Sequence, residues 1–323
     1  MLCSIQAVIP AGLKRSAAMS FVVLTDTSGN LRNQQILGSD LKVIPFPYYI
    51  DGKEYTCTDS DRFSGDSFYK RIREGLRVTT SQINPARYMA FFEPWLKTGK
   101  DIILVTMSSG ISGACNAAHM AADTLLEQYH ERRIEIVDSL GASLGEGILA
   151  LHAAKLRDLG KNVTEAAEEL RKRAKRMFNV FTVDDLMHLK RGGRLSNLSA
   201  VIGTVLNIKP LLKGNEEGKI VAFSKIRGRR KSIESLAQAY ETLAVRPEEQ
   251  IVGIAQAGCR EDADYLAQLL RRSHPPKEIL TVEYEPVTGS HVGPGALALF
   301  FEGEENVRSV VSFRDLKKYK GSM

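Results

Sequence analysis

The segment that most restricts this fold runs from residue 101 to about 126. Asp101-Ile-Ile-Leu-Val-Thr106 is a near-pure apolar run of strand character. Ser108-Ser109-Gly110-Ile111-Ser112-Gly113 follows it, and an alanine-rich helix opens at Ala114 and runs to about Leu126. A strand, a Ser/Gly loop and a helix N-terminus together make an anion site, because the first helical N–H groups lack partners and carry partial positive charge. Thr80-Ser81-Gln82 supplies a second hydroxyl-bearing turn beside an apolar element. Hydroxyls without a cationic side chain suit a carboxylate better than a triphosphate. No lysine follows these glycines as in a nucleotide P-loop, so that reading is not supported.

The chain of 323 residues is too long for one ordinary core and suits two. Its 43% hydrophobic and 25% charged residues are those of a water-soluble globular protein. It has no apolar run of about 18 residues, so no integral membrane association is expected. A net charge of +6 fits an anionic ligand or acidic partner, and nucleic acid only weakly. Cys3, Cys57, Cys115 and Cys259 lie far apart without CxxC spacing. That argues against a zinc site or a disulfide framework and for a reducing, cytoplasmic setting. No metal is expected. Residues 1–18 show no sustained period, and their charges follow the apolar run, unlike a signal peptide. They read as a disordered extension, with Met19 as the start of the fold. Residues 309–323 read as a basic tail.

Strands and helices alternate, which signals layered α/β structure. The first half reads as strand 21–25, a helix near 31–38, strand 42–49, and a hairpin return through Tyr55 across Asp51-Gly52. Helices 65–74 and 85–97, strand 102–106, helix 112–129, strand 134–137 and helix 143–159 follow. The second half reads as helix 164–178 capped by Thr164, strand 179–183, helix 184–190, a Gly-Gly loop and helix 197–206. A hairpin across 215–218, helix 230–244, strand 250–255, helix 260–272 and strands 278–284 and 296–301 complete it. The domains are expected at 19–165 and 166–308.

Five further loops could carry chemistry: residues 24–29, Asp138-Ser139, residues 191–196, Lys225 to Gly228, and Gly289 to Gly295, which holds His291. Each feature also has a plain structural reading. Thr80-Ser81 could cap helix 85–97, and Ser109 or Ser112 could cap helix 112–129. Asp26 and Asp138 could bond only local amides. The run Arg171 to Arg176 reads first as a solvated helix end.

Taken in order, these segments resemble the DegV family. Thr25-Asp26, Thr80-Ser81-Gln82, Ser108 to Gly113, Val137-Asp138-Ser139, Gly192-Gly193-Arg194, Ile208-Lys209-Pro210, Lys225 to Gly228 and His291 to Gly295 match its pattern over about residues 20–302. The chain departs from that pattern at Ala114-Cys115, where a threonine and an aromatic residue are expected. The resemblance implies a two-domain α/β fold, each domain a β-sheet flanked by helices, with a long-chain fatty acid between or within the domains and no other cofactor. It also implies a carrier rather than an enzyme. The carrier would present the acyl carboxylate to a separate ATP-binding kinase subunit, which makes acyl phosphate. By analogy Thr80, Ser81, Ser109, Gly110, Ser112, Gly113 and His291 would hold the ligand. Arg194, Arg227 and His291 would support phosphoryl transfer by the partner.

The energetics agree with a carrier. Each buried methylene is worth about 0.8 kcal/mol, so a long chain offers on the order of 10 kcal/mol before binding costs. The head group then needs only orientation and modest neutralisation. One rival is a stand-alone phosphotransferase or hydrolase using His291 and Arg194, which would need a metal or a nucleophile–base pair. Another is a nucleic-acid binder built on helix 164–178 and Lys225 to Lys231, with no recognised motif behind it.

Overall fold

The computed structural model describes residues 21–195 and 207–316. The extension at 1–18, Ser196, the helix expected at 197–206 and the end of the basic tail lie outside the described residues.

The chain begins with β1 (Val22–Asp26), α1 (Asn33–Gly38) and β2 (Lys42–Ile44). The expected single strand 42–49 is two strands. Pro45 and Pro47 interrupt it, since proline has no N–H for a ladder. After the break come β3 (Tyr48–Ile50) and β4 (Lys53–Tyr55). Asp51 and Gly52 both take positive φ, as a two-residue hairpin turn requires. Next are α2 (Gly65–Arg73), β5 (Val78–Thr80) and α3 (Pro85–Lys97). The strand β5 was not expected from the sequence. Asn84, not Thr80-Ser81, caps α3, accepting from the Arg87 N–H.

Then come β6 (Ile102–Thr106), α4 (Ala114–Leu126), β7 (Ile134–Asp138), α5 (Leu144–Asp158) and α6 (Val163–Arg176). Asn162, not Thr164, caps α6 in a capping box with Glu165. The remainder is β8 (Met177–Thr182), a short α7 (Met187–Arg191), β9 (Ile208–Gly214), β10 (Ile220–Arg227) and α8 (Arg229–Leu243). It ends with β11 (Ile251–Gln256), α9 (Arg260–Ser273), β12 (Glu278–Glu283), α10 (Pro286–Val292) and β13 (Leu297–Glu302). His291 therefore ends a short helix rather than sitting in a glycine loop. Glu285 holds that helix by accepting from the Val287 and Thr288 N–H groups at 2.6 Å each.

Three sheets result. β2-β1-β6-β7 is wholly parallel. β10-β9-β8-β13-β11-β12 is antiparallel except for the β11–β12 pair. β4-β3-β5 is a small antiparallel sheet that pairs Tyr48 with Thr80.

The large sheets stack with helices in five layers. One face of the parallel sheet packs against α3 and α4, and the outer face of the mixed sheet against α8 and α9. Val310 and Leu316, at the start of the segment read as a tail, are buried in that outer core. Between the sheets lies α5, which touches β1 and β6 on one side and β8, β11 and β13 on the other. Its first half, Leu144–Ala150, is buried on every side and apolar but for Glu146, while Lys155 and Asp158 near its end are exposed; Leu149 and Ala150 are fully buried. α6 packs on α5, β6 and β7 and also reaches β8. The two halves thus share a core, which holds Val23 and Val105 together with Ala255 and Phe300. Replacing Leu149 by Ala would cost about 3 kcal/mol.

Candidate functional site

In the parallel sheet, β1 leads to a neighbour on one side and β6 to a neighbour on the other. Such a switch point leaves a crevice beyond the carboxyl ends of the two strands, where ligands of open α/β sheets bind. Here the mixed sheet roofs that crevice, and a cavity lies between them. Its lined space, mouth included, is about 830 Å³.

The inner wall is largely apolar: Phe46, Met107, Leu140, Phe181, Val287 and Phe300 contribute to it. Phe46 comes from the proline-flanked break after β2, with its N–H bonded to Thr27 Oγ1 at 3.1 Å. Thr80, Gln82, Ser112, Arg194 and His291 form a polar end.

Each polar group there is held by its own local structure. Thr80 ends β5, and its Oγ1 lies 2.8 Å from His291 Nε2 at the end of α10. Gly192 makes room for the imidazole, since a Cβ there would lie 2.3 Å from His291 Nδ1. Arg194 donates through Nε to Ile111 O at 3.2 Å and through Nη1 to Gly192 O. It thereby ties the turn after α7 to the loop before α4. Ser112 Oγ accepts from the Ala114 N–H at 3.2 Å, at the start of α4. Burial, and then the Arg194 charge, push His291 down to about 4. At neutral pH its ring is uncharged and offers one donor and one acceptor. The formal positive charge at this end comes from Arg194.

The structure brings Thr80, Ser112, Arg194 and His291 to one wall. The other candidates lie elsewhere. Ser81 is exposed and its hydroxyl is 3.3 Å from Tyr49 OH. Ser109 is exposed and its N–H donates to Asp138 Oδ2. Gly110 packs against the β9–β10 hairpin, where a Cβ would meet Glu217 O at 2.5 Å. Gly113 faces Gln82, whose Oε1 would lie 2.0 Å from a Cβ. Arg227 is exposed at the end of β10, away from the cavity lining. Ser108, fully buried, donates to Gly218 O and accepts from the Gly110 N–H, both at 3.0 Å, so it fastens the loop to the other half.

Sequence reasoning assigned no role to Gln82, Ser143 or Asn179, all in the lining. Gln82 was visible in the Thr-Ser-Gln motif. Asn179 was visible as a polar residue inside an apolar strand.

A second polar cluster sits behind the carboxyl ends of the strands. Ser28 Oγ lies 2.5 Å from Asp26 Oδ1 and 2.8 Å from Glu146 Oε2. A hydroxyl has one hydrogen to give, so one of the two carboxyls is a neutral acid that donates to Ser28. Burial raises both carboxyls, Glu146 well above its usual range, and Glu146 is the one that keeps the proton. Thr25 donates to Glu146 Oε1 at 2.9 Å, and Thr106 to Asp26 Oδ2 at 3.2 Å.

Among the described residues no group of His, Cys, Asp and Glu could hold a metal ion, and Cys57, Cys115 and Cys259 are free thiols. No helix among them is long and apolar enough to cross a membrane. In α6, Arg171 pairs with Glu135 at 2.6 Å and Arg173 with Glu302.

The fold defines a layered α/β protein with an apolar-walled cavity between its two large sheets. The chain belongs to the DegV family: the family described as "Uncharacterised protein, DegV family" matches residues 20–304. A DegV domain-containing protein of Clostridium perfringens is 38% identical over 284 residues, covering 88% of this chain and 98% of that one. Among solved structures, a Thermus thermophilus DegV family protein, described for its fatty acid binding, is 27% identical with a TM-score of 0.80. It covers 88% of this chain and 100% of its own. The fatty acid binding DegV family protein of Streptococcus agalactiae is 28% identical with a TM-score of 0.78, covering 89% and 100%.

Proposed function

We propose that this protein is a cytoplasmic fatty acid carrier. It buries a long acyl chain in the cavity between the sheets and presents the carboxylate at the Thr80–His291 end. A separate ATP-binding kinase subunit then phosphorylates that carboxylate to acyl phosphate. The observation that carries the reading is the polarity of one continuous cavity. Its inner wall is apolar, and its polar groups include two hydroxyls, a neutral imidazole and one guanidinium. The fatty acid binding of the two solved relatives supports the same ligand class.

Each group has a role in this account. Thr80 and Ser112 donate to the carboxylate, Ser112 being held by the Ala114 N–H at the start of α4. Arg194 offsets its charge, and a neutral His291 can donate one hydrogen bond without competing for a proton. A carboxylate attacks a phosphoryl group poorly unless charge on that group is offset; in this reading Arg194 offsets it when the partner brings ATP, and neutral His291 adds a hydrogen bond. Ser81 and Arg227, exposed, belong in this reading to the surface that meets the kinase. Ser109, Gly110 and Gly113 shape the loop that carries Ser112.

One observation bears on the rival reading of a stand-alone hydrolase. Thr80 and His291 are within hydrogen-bond distance, as a nucleophile and base would be. A general base works best with a pKa near the working pH, and His291 is held at about 4. That makes it a poor base for Thr80 and favours the carrier.

Native mass spectrometry of the freshly purified protein tests the proposal. The expected spectrum carries one co-purified long-chain fatty acid, lost on denaturation. A protein that is empty and takes up no added fatty acid would refute the carrier reading. Turnover of ATP or of an acyl ester by the chain alone would favour the rival.

A further inference from the structure

The strand β8 reads Met177-Phe-Asn-Val-Phe-Thr182. Phe178 and Val180 face the outer core, and Met177 and Phe181 face the shared core on the other side. Asn179 falls between the latter two, on the face where the period-two pattern requires an apolar residue. It is 7% exposed and lines the cavity.

Its side chain has room made for it and no partner among the described residues. A Cβ on Gly141 would lie 2.3 Å from Asn179 Nδ2, and one on Gly145 would lie 2.6 Å from Oδ1. The amide thus rests in a notch between two positions without side chains. Oδ1 is buried with no hydrogen-bond partner among the described residues. Nδ2 makes no hydrogen bond with a described residue. No hydrogen bond links Asn179 to Thr80, Ser112, Arg194 or His291. A buried amide without partners costs about 1–3 kcal/mol, so an apolar residue of similar size would be the more stable choice for a plain wall.

We propose that Asn179 is a second polar contact point in the cavity, which selects an acyl chain carrying a hydroxyl group along its length. A hydroxyl both donates and accepts, so it can serve Oδ1 and Nδ2 after a small shift of the amide. A ketone or an ether can only accept. A site built to bond a ligand hydroxyl discriminates strongly against the analogue without it, because the site's polar group is then left unpaired. The inference rests on the carrier reading for the location of the chain, and adds what kind of chain is preferred.

The test compares octadecanoic acid with a series of hydroxyoctadecanoic acids whose hydroxyl is moved along the middle of the chain. Affinities are measured by calorimetry for the full chain and for Asn179→Leu and Asn179→Ala. For the wild type, at least one positional isomer should bind roughly ten-fold or more tighter than octadecanoic acid, and its neighbours in the series less so. In Asn179→Leu that preference should vanish while octadecanoic acid binds at least as well as before, and the empty variant should melt at a higher temperature. Asn179→Ala should lose the preference too, through a different change in cavity shape. Binding of octadecanoic acid with no isomer preferred would overturn this inference alone, with Asn179 then holding at most an ordered water. A preference that survives both substitutions would overturn it as well. Failure of every acid to bind would overturn it together with the carrier reading.

Discussion

Two polar clusters lie close to the carboxyl ends of the same parallel strands, and they differ in how completely their groups are used. In the cluster of Thr25, Asp26, Ser28, Thr106 and Glu146, each hydroxyl bonds a carboxylate and each carboxylate is satisfied. The cluster is buried, no member more than 1% exposed although Thr25 and Asp26 border a second cavity, and burial keeps a proton on it. At the cavity end, Thr80, Ser112, Arg194 and His291 are fixed in place but face open space. The comparison teaches that residue type does not distinguish scaffold from site. Both clusters are built from serine, threonine and a charged group. What distinguishes them is whether the hydrogen-bonding capacity is spent internally or left facing a cavity.

The largest effect should come from opening the buried cluster. Ser28→Ala removes the hydroxyl that joins two buried carboxyls, and should destabilise the fold by about 3 kcal/mol in urea denaturation. The folded fraction should still bind fatty acid normally. Equal loss of binding would mean that the two clusters act as one.

At the cavity end the balance should reverse. Thr80→Ala should change stability by less than about 1 kcal/mol but weaken fatty acid binding about ten-fold, the value of one hydrogen bond to a charged group. Arg227→Ala, at an exposed position away from the lining, serves as the control and should leave the affinity unchanged. Calorimetric titration reads both, and an unaltered Thr80→Ala affinity would remove Thr80 from the head-group contact.

The smallest effects concern pH, and two buried groups should act with opposite sign. Glu285 is raised to about 7 by burial, so its contribution is fully present below its ordinary range and lost as pH rises through about 7. His291 is lowered to about 4, so its contribution is present above about 6.5 and lost as pH falls through about 4. Thermal melts across this range should show that Glu285→Gln removes the decline on the alkaline side. His291→Gln should reduce the decline on the acid side. Matching pH profiles for the wild type and both variants would show that neither group is buried as described.

Much of the layered architecture was legible because its signals are local. Strand 102–106 and the helix after it stand out as an apolar run followed by an alanine stretch, and Asp51-Gly52 announces its own turn. The errors have physical causes as well. Strand 42–49 reads as continuous until the two prolines are given their weight, and they move Tyr48 into a separate sheet. β5 is three residues long, too short for a period to register, and α10 hides among glycines that suggest a loop. Four site candidates, Thr80, Ser112, Arg194 and His291, come together from distant parts of the chain. Ser109 looked equivalent to Ser112 but is exposed and outside the cavity lining, because a loop's motif does not say which hydroxyl faces inward. The buried cluster was legible only in part: residues 24–29 stood out and Asp26 does bond the Ser28 N–H, but Glu146 sits on a helix whose first half becomes buried on every side only when the two sheets pack.

The position of the bound carboxylate decides whether Thr80 and His291 mark the head-group end of the cavity. Nuclear magnetic resonance of a fatty acid labelled with carbon-13 at its carboxyl carbon reads this directly. The bound signal should stay that of an ionised carboxylate as pH is lowered past its ordinary range of about 4–5, held there by Arg194 and the hydroxyls. It should also shift in Thr80→Ala and His291→Gln. A bound signal that titrates as in water and ignores both substitutions would place the head group elsewhere and contradict the account.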